Sequence, residues 1–271
     1  MTKDDLLFFK NWFSDFCKSY YSLDSEDQKN ISLKEEHTFH VCKNIIEIAG
    51  DLSLSDNEIM LAETIALFHD IGRFPQYAKY KTFKDSISVN HAFLGAETLL
   101  KEKPLQNIPQ NEQQVIVRSV RFHNAFSLPR NEKKDIVFFV KLIRDADKLD
   151  IWRVFIDYYE SPEEKRASAV GLGLPDTAEY SEKIISCIHR KQMASLSEAK
   201  TLNDFKLMQL SWIYDLNFKT SFRLLLERNY IDRIVSQLPQ GEEMKRVSSD
   251  LKEFAHMRVN DPAESLRESK Q

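Results

Sequence analysis

Apolar residues recur along most of the chain at the spacing of one helix face. Leu6, Phe9, Trp12, Phe13 and Phe16 follow an i, i+3, i+4 stripe that predicts a first helix over about 4–21, ended by the polar stretch 22–30. Val41, Ile45 and Ile48 place a second helix over about 32–49, closed by Gly50. Ser55 followed by Glu58 has the spacing of a capping box and opens a third helix to about 71, stopped by Gly72 and Pro75. A basic, aromatic loop is expected over 73–89, longer than a simple connector. Asn90 caps a fourth helix reaching about 103, a fifth spans about 111–123, and a sixth runs over about 132–147 and can continue past Trp152. Pro162, Gly171, Gly173 and Pro175 mark the clearest break, and further stripes follow it, including Phe205, Met208 and Leu210 to Trp212, then Phe222 to Leu226. Nearly every segment therefore reads as helix, and no internal repeat is present.

Composition narrows this all-α reading. The chain has 271 residues, 42% hydrophobic and 30% charged; a chain of that length buries about 70–75% of its unfolded surface, enough for one large domain or a domain with an appendage. Only 6 residues are Gly, well below the usual ~7%. That disfavours a many-turned β protein or a glycine-loop nucleotide fold. The formal net charge of -4 offers no basic excess for an extended nucleic-acid surface. Cys17, Cys42 and Cys187 are odd in number and widely spaced, which points to a reducing compartment rather than a disulfide framework. The start, MTKDD, is acidic and lacks the layout of a secretory signal. The longest apolar runs, such as 136–140, fall far short of the ~18 residues of a membrane span. A cytoplasmic, soluble protein without membrane partners is expected. The domain reading is a helical core over 1–160, a loop over 161–176, C-terminal helices over 177–258 packing on the core, and a polar tail over 259–271.

The informative chemistry is a set of His and Asp residues near helix ends in the first 150 positions: His37, His69 with Asp70, His91, His123 and Asp147. A His-Asp dipeptide alone carries little weight. Here it follows the apolar run from Ile65 to Phe68, and His69 shares a helical face with Ile65 and Ala62. A buried carboxylate must be paired, hydrogen-bonded or metal-bound, and no Arg stands three or four residues before Asp70. Asp147 continues the core stripe of Phe139, Val140 and Ile143. Asp150 competes with it on the same face, whereas Asp145 reads as a solvated charge. Taken singly, His91 and His123 read as satisfied core histidines. As a set of inward-facing His and Asp on separate helices, they match the way helical bundles build metal sites.

The phrases HDIGRF and DADKLD, after the upstream His37, resemble the HD-domain superfamily of metal-dependent phosphohydrolases over about residues 30–155. The resemblance implies an all-α HD-domain helical bundle with additional C-terminal helices. It carries the four core ligands onto His37, His69, Asp70 and Asp147. His40 departs from the Arg many members have there. His91 and His123 resemble the extra histidines of two-metal members, where Asp70 bridges the ions; in one-metal members such histidines contact or protonate the substrate instead. Asp70, His91 and His123 are thus the candidate catalytic residues. One or two divalent transition metals are implied, and N/O ligands without thiolate suit Mn, Fe, Co, Ni or Zn. Arg73, Arg118, Arg121, Arg144 and Lys148, with Lys79, Lys81 and Lys84 of the 73–89 loop, are candidates to hold the rest of a substrate phosphate, although any one of them alone reads as a surface charge.

The leading expectation is hydrolysis of a phosphoester or phosphoanhydride of a small metabolite, such as a nucleotide, by metal-activated water. Two alternatives stay open: a di-iron oxygenase on the same fold, and a non-catalytic, metal-stabilised helical interaction module. A homodimer through the C-terminal helices is likewise open.

Overall fold

Helices form where the apolar stripes predict them, and among the described residues there is no strand. The computed structural model describes residues 1–162, 166–168, 170 and 173–261. Parts of the expected 161–176 loop, and the tail from 262, lie outside these residues. The chain divides into two compact units, the first formed by Met1–Asp150 with Lys165–Val170, the second by Ile151–Glu164 with Gly171–Gln271. No helix among the described residues is long and apolar enough to cross a membrane.

In the first unit, α1 (Lys3–Lys18) starts at a reciprocal Thr2/Asp5 capping box and buries Phe9, Phe13 and Cys17 at i, i+4 spacing. Phe9 and Trp12 set their rings edge-on to Phe68, each 5.8 Å away. Helix α2 (Ser25–Gly50) begins earlier than the apolar pattern implies. Its first turns are polar, but the Asp24 carboxylate accepts from the backbone N–H groups of Glu26 and Asp27, and acidic side chains suit a helix N-terminus. Helix α3 (Asp56–Phe68) has the predicted Ser55/Glu58 capping box and packs along α2. The segment expected as a loop from 73 is instead a helix, α4 (Arg73–Tyr80), followed by a short 3-10 turn at Asp85–Ile87. Pro75 does not break it, because it stands in the first turn, where a backbone N–H has no intrahelical partner to lose. Helix α5 (His91–Glu102) is capped by Asn90, α6 (Gln110–Phe122) packs on both α5 and α3, and α7 (Lys134–Glu160) extends past Trp152. Asn44 of α2 donates to the Ala146 carbonyl of α7 at 3.0 Å.

In the second unit, α8 (Glu182–His189) packs on α9 (Leu202–Ser211), which is buried from Asn203 to Ser211. Helices α10 (Lys219–Glu227) and α11 (Tyr230–Val235) pack on α12 (Glu242–Asn260). The Phe205, Met208 and Phe222 stripes are core, as their spacing implies. Trp152 donates its indole N–H to the Gln209 carbonyl at 3.1 Å.

One contact fixes the geometry of the first unit around the His and Asp residues. Gly72, between α3 and α4, has an ordinary helical φ of -68°, so its conformation does not require glycine. Space does: a Cβ there would meet the His91 carbonyl oxygen and lie 2.5 Å from the Gly95 nitrogen. At Gly95 a Cβ would come within 3.3 Å of the Gly72 nitrogen. The turn carrying Asp70 and the start of α5 thus touch backbone to backbone. Gly72→Ala is expected to cost about 2–3 kcal/mol as an overpacking substitution, lowering the melting temperature by roughly 2–4 °C per kcal/mol. Gly50→Ala, where a Cβ meets nothing within 4 Å, should leave it unchanged or slightly raised; equal melting temperatures for the two variants would contradict the close approach.

Candidate metal centre

The predicted residues converge from five chain segments, several of them at helix ends. His37 stands within α2, while His69 is the C-cap of α3 and Asp70 follows it. His91 is the first residue of α5, His123 is the C-cap of α6, and Asp147 and Asp150 lie one turn apart on α7. His37, His69, Asp70, His91, His123 and Asp150 are buried.

All four histidines are held the same way round. The His37 Nδ1–H donates to Asp150 Oδ2 at 2.7 Å, and that of His91 to Asp85 Oδ2 at 2.7 Å. His69 and His123 donate theirs to the Ala66 and Val120 carbonyls at 2.7 and 2.8 Å. Those carbonyls belong to last helical turns, where backbone acceptors are left without amide partners, so a C-capping histidine finds its acceptor three residues back. Each partner can only accept, which places the hydrogen on Nδ1 and turns Nε2 inward.

The inward atoms form two groups around one carboxylate. Nε2 of His37 and Nε2 of His69 lie 3.3 Å apart, with Asp70 Oδ2 at 3.7 and 3.9 Å and Asp147 Oδ1 at 3.1 and 3.6 Å. Nε2 of His91 and Nε2 of His123 lie 3.1 Å apart, with Asp70 Oδ1 at 3.3 and 3.7 Å. Two sets, His37 with His69 and Asp70, and Asp70 with His91 and His123, could each hold a metal ion. Asp147 faces the Nε2 atoms of the first set, while Asp150 takes the outer side of His37.

The electrostatics suit a cation. Burial works against ionisation of Asp70, but the charges of Lys34 and Arg73, with His69, hold its carboxyl well below the usual range. Burial likewise opposes ionisation of Asp147, and the neighbouring imidazoles of His37 and His69 keep it well below that range. Burial and Lys34 push His37 down, yet Asp147 and Asp150 outweigh them and raise it to about 9, so without a metal this imidazole holds a proton between two carboxylates. Burial and Arg73 push His91 down to about 3 against the pull of Asp85, leaving its Nε2 a free lone pair that faces His123. Facing imidazole nitrogens and shared carboxylate oxygens fit a divalent ion bound by N and O donors.

The residues expected to contact phosphate separate. Arg73 lies with its Nε 3.4 Å from Asp70 Oδ1, and its guanidinium donates to the Phe83 carbonyl and to Asp85. Arg144 is buried and donates to the His123 and Ala125 carbonyls. Lys148 is buried with its ammonium 3.5 Å from the Arg144 carbonyl. Arg118 pairs with Glu132, and Arg121 lies 4.3 Å from the Phe93 ring. In the 79–84 segment, Lys81 pairs with Asp27. His40 stays at the surface, 3.5 Å from Glu36. Asp145, read as solvated, is instead fully buried, because α7 is covered on more than the one face its stripe suggested.

Two participants escaped the sequence reading. Lys34 places its ammonium 2.8 Å from Asp70 Oδ2; the available signal was its position three residues before His37 on the same helix face. Together with Arg73, three residues after Asp70, it corrects the expectation that this carboxylate lacks compensating charge. Asp85 lies in irregular chain, where no periodicity points to it.

An all-helical unit with buried imidazole and carboxylate donors paired about one shared aspartate defines a candidate metal-binding bundle. Residues 35–152 match the family model of the HD domain, and this segment belongs to the HD-domain superfamily, whose members are typically metal-dependent hydrolases. No curated protein and no solved structure gives a significant match to the chain.

If these donors bind metal, Asp70→Ala, which removes the carboxylate common to both groups, should lose all bound metal from the purified protein. His91→Ala and His123→Ala should each lower the content from about two equivalents to about one. Elemental analysis reads both outcomes; full retention in Asp70→Ala would sink the assignment, and unchanged stoichiometry in the histidine variants would limit the centre to one ion.

Proposed function

We propose that the chain is a metal-dependent phosphohydrolase that cleaves a phosphoester or phosphoanhydride of a small metabolite, with nucleotides the first class to test. The observation that carries this reading is the common orientation of the four histidines, every Nδ1 anchored and every Nε2 turned toward Asp70 or Asp147. His37, His69, Asp70 and Asp147 would hold one divalent ion, and Asp70, His91 and His123 a second. Bound there, such ions supply a lowered pKa for water and Lewis-acid polarisation of a phosphoryl oxygen.

The chain's own residues do the rest. Asp150 and Asp85, with the Ala66 and Val120 carbonyls, orient the imidazoles before any ligand arrives, so little reorganisation is needed at the moment of reaction. Lys34 and Arg73 bring two cationic side chains beside Asp70. Both are paired to carboxylates, Asp70 and Asp85, so attraction of an anionic substrate would come from the bound ions, with a cationic side chain freed where an ion takes over its carboxylate. Lys34 is the residue best placed to donate to a phosphate oxygen, because the carboxylate it pairs with, Asp70, is one that a metal would also claim.

Metal content of the purified protein, followed by phosphate release from nucleotides and simple phosphomonoesters with that metal, tests the proposal. Metal-dependent release is expected, abolished by a chelator and restored by adding the metal back. Lys34→Ala should lower kcat/KM roughly ten- to hundredfold, the weight of one charge-assisted hydrogen bond. A fully metallated protein that releases no phosphate from any of these substrates would overturn the reading, and iron with a visible absorbance band would move it to oxygen chemistry.

A further inference from the structure

Support for the two ligand groups is unequal. Behind the His37 and His69 group stand elements of the helical core: Asp150 on α7 and the Ala66 carbonyl in α3. Behind the His91 and His123 group stand the Val120 carbonyl in α6 and, in place of a helical carboxylate, a side chain from the irregular segment between α4 and α5. Asp85 lies in the short turn Asp85–Ile87, and its side chain is 29% exposed. Its carboxylate nevertheless receives four donors. Oδ1 accepts from Arg73 at 3.0 Å and from the Gln76 amide at 2.9 Å. Oδ2 accepts from the His91 Nδ1–H at 2.7 Å and from the Asn124 amide at 3.1 Å.

These donors are the ligands of the second group or their close neighbours. His91 is itself a donor to the centre, Asn124 directly follows His123, and Arg73 has its Nε 3.4 Å from Asp70 Oδ1, the oxygen that faces His91 and His123. The buried Gln76 amide also donates to Ser88 Oγ and the Val89 carbonyl, both at 2.9 Å, fastening the rest of the segment. One carboxylate outside the helices therefore holds one donor of this group, His91, directly, and a side chain adjoining each of the other two, Asn124 beside His123 and Arg73 beside Asp70; no bond joins it to His37, His69 or Asp147 among the described residues.

We propose that Asp85 is a positioning residue that selectively controls occupancy of the Asp70, His91 and His123 group, so that the centre fills in two steps: a tighter ion at His37, His69, Asp70 and Asp147, and a weaker, exchangeable ion whose site exists only while the 82–89 segment is fastened. The inference rests on the two-ion reading of the proposed function. A carboxylate hydrogen-bonded to the outer nitrogen of a ligating imidazole fixes its orientation and strengthens it as a donor, and its loss typically weakens metal affinity 10–100-fold.

The test is titration of metal-stripped full-length protein with Mn2+ by calorimetry, with stoichiometry from equilibrium dialysis. Wild type is expected to take up two equivalents in a tighter and a weaker phase. In Asp85→Asn the weaker phase should lose roughly 10–100-fold in affinity while the tighter phase stays as in wild type. Asp85→Glu, which keeps the charge, should recover part of the loss. An intact tighter phase reports that the variant is folded; if Asp85→Asn shows no helical circular dichroism, Asn124→Ala replaces it and should give a smaller loss confined to the same phase. An unchanged weaker phase, or equal weakening of both phases, overturns the role of Asp85 while the two-ion centre stands. Uptake of a single equivalent by wild type overturns the two-ion reading itself, and the proposal with it.

Discussion

A carboxylate removed from water needs positive charge or donors on both oxygens, and Asp70 is the buried anion around which the first unit is organised. Lys34 approaches Oδ2, the Arg73 guanidinium approaches Oδ1, and the four imidazoles divide between the two oxygens. Apart from Lys34 and His37, which share α2, each of these groups comes from a different stretch of helix or turn. Packing α2, α3, α5 and α6 around one another is therefore the same event as surrounding this charge, and the site cannot be assembled without folding the unit.

Helix ends make the arrangement inexpensive in sequence. A histidine that closes a helix sits beside carbonyls the helix cannot itself satisfy, so His69 and His123 acquire a fixed tautomer from backbone alone. His37, within a long helix whose carbonyls are already bonded, and His91, at a helix start, have no such acceptor nearby. Each uses an aspartate from elsewhere instead, Asp150 or Asp85. The difference between backbone and side-chain support follows from where along a helix each histidine stands.

The same distinction explains what could be read from the residues alone. Capped, amphipathic helices were legible because cap and stripe are local: Ser55 with Glu58 and Asn90 before His91 name their own boundaries. His37, His69, Asp70 and Asp147 were legible because inward spacing and the HDIGRF and DADKLD phrases mark them. Helix α4 was misread as loop because Pro75 signals both the end of one helix and the first turn of another, and only tertiary context separates the two. Lys34 announces itself weakly, since a lysine on a helix face usually reaches water. Asp85 is silent because its meaning is non-local, set by what Arg73, Gln76, His91 and Asn124 bring to it.

The touching backbones of Gly72 and Gly95 have a consequence for how such a centre can change. Asp70 is held two residues before one glycine and His91 four before the other, and no side chain stands between the two segments. The separation of the turn that carries Asp70 from the helix start that carries His91 is thus set by main chain rather than by side-chain size. Substitution at surrounding positions can reorient a single side chain, but it cannot draw these two segments closer together while both are already in main-chain contact. That dimension belongs to the backbone of the fold and not to the side chains that line the site.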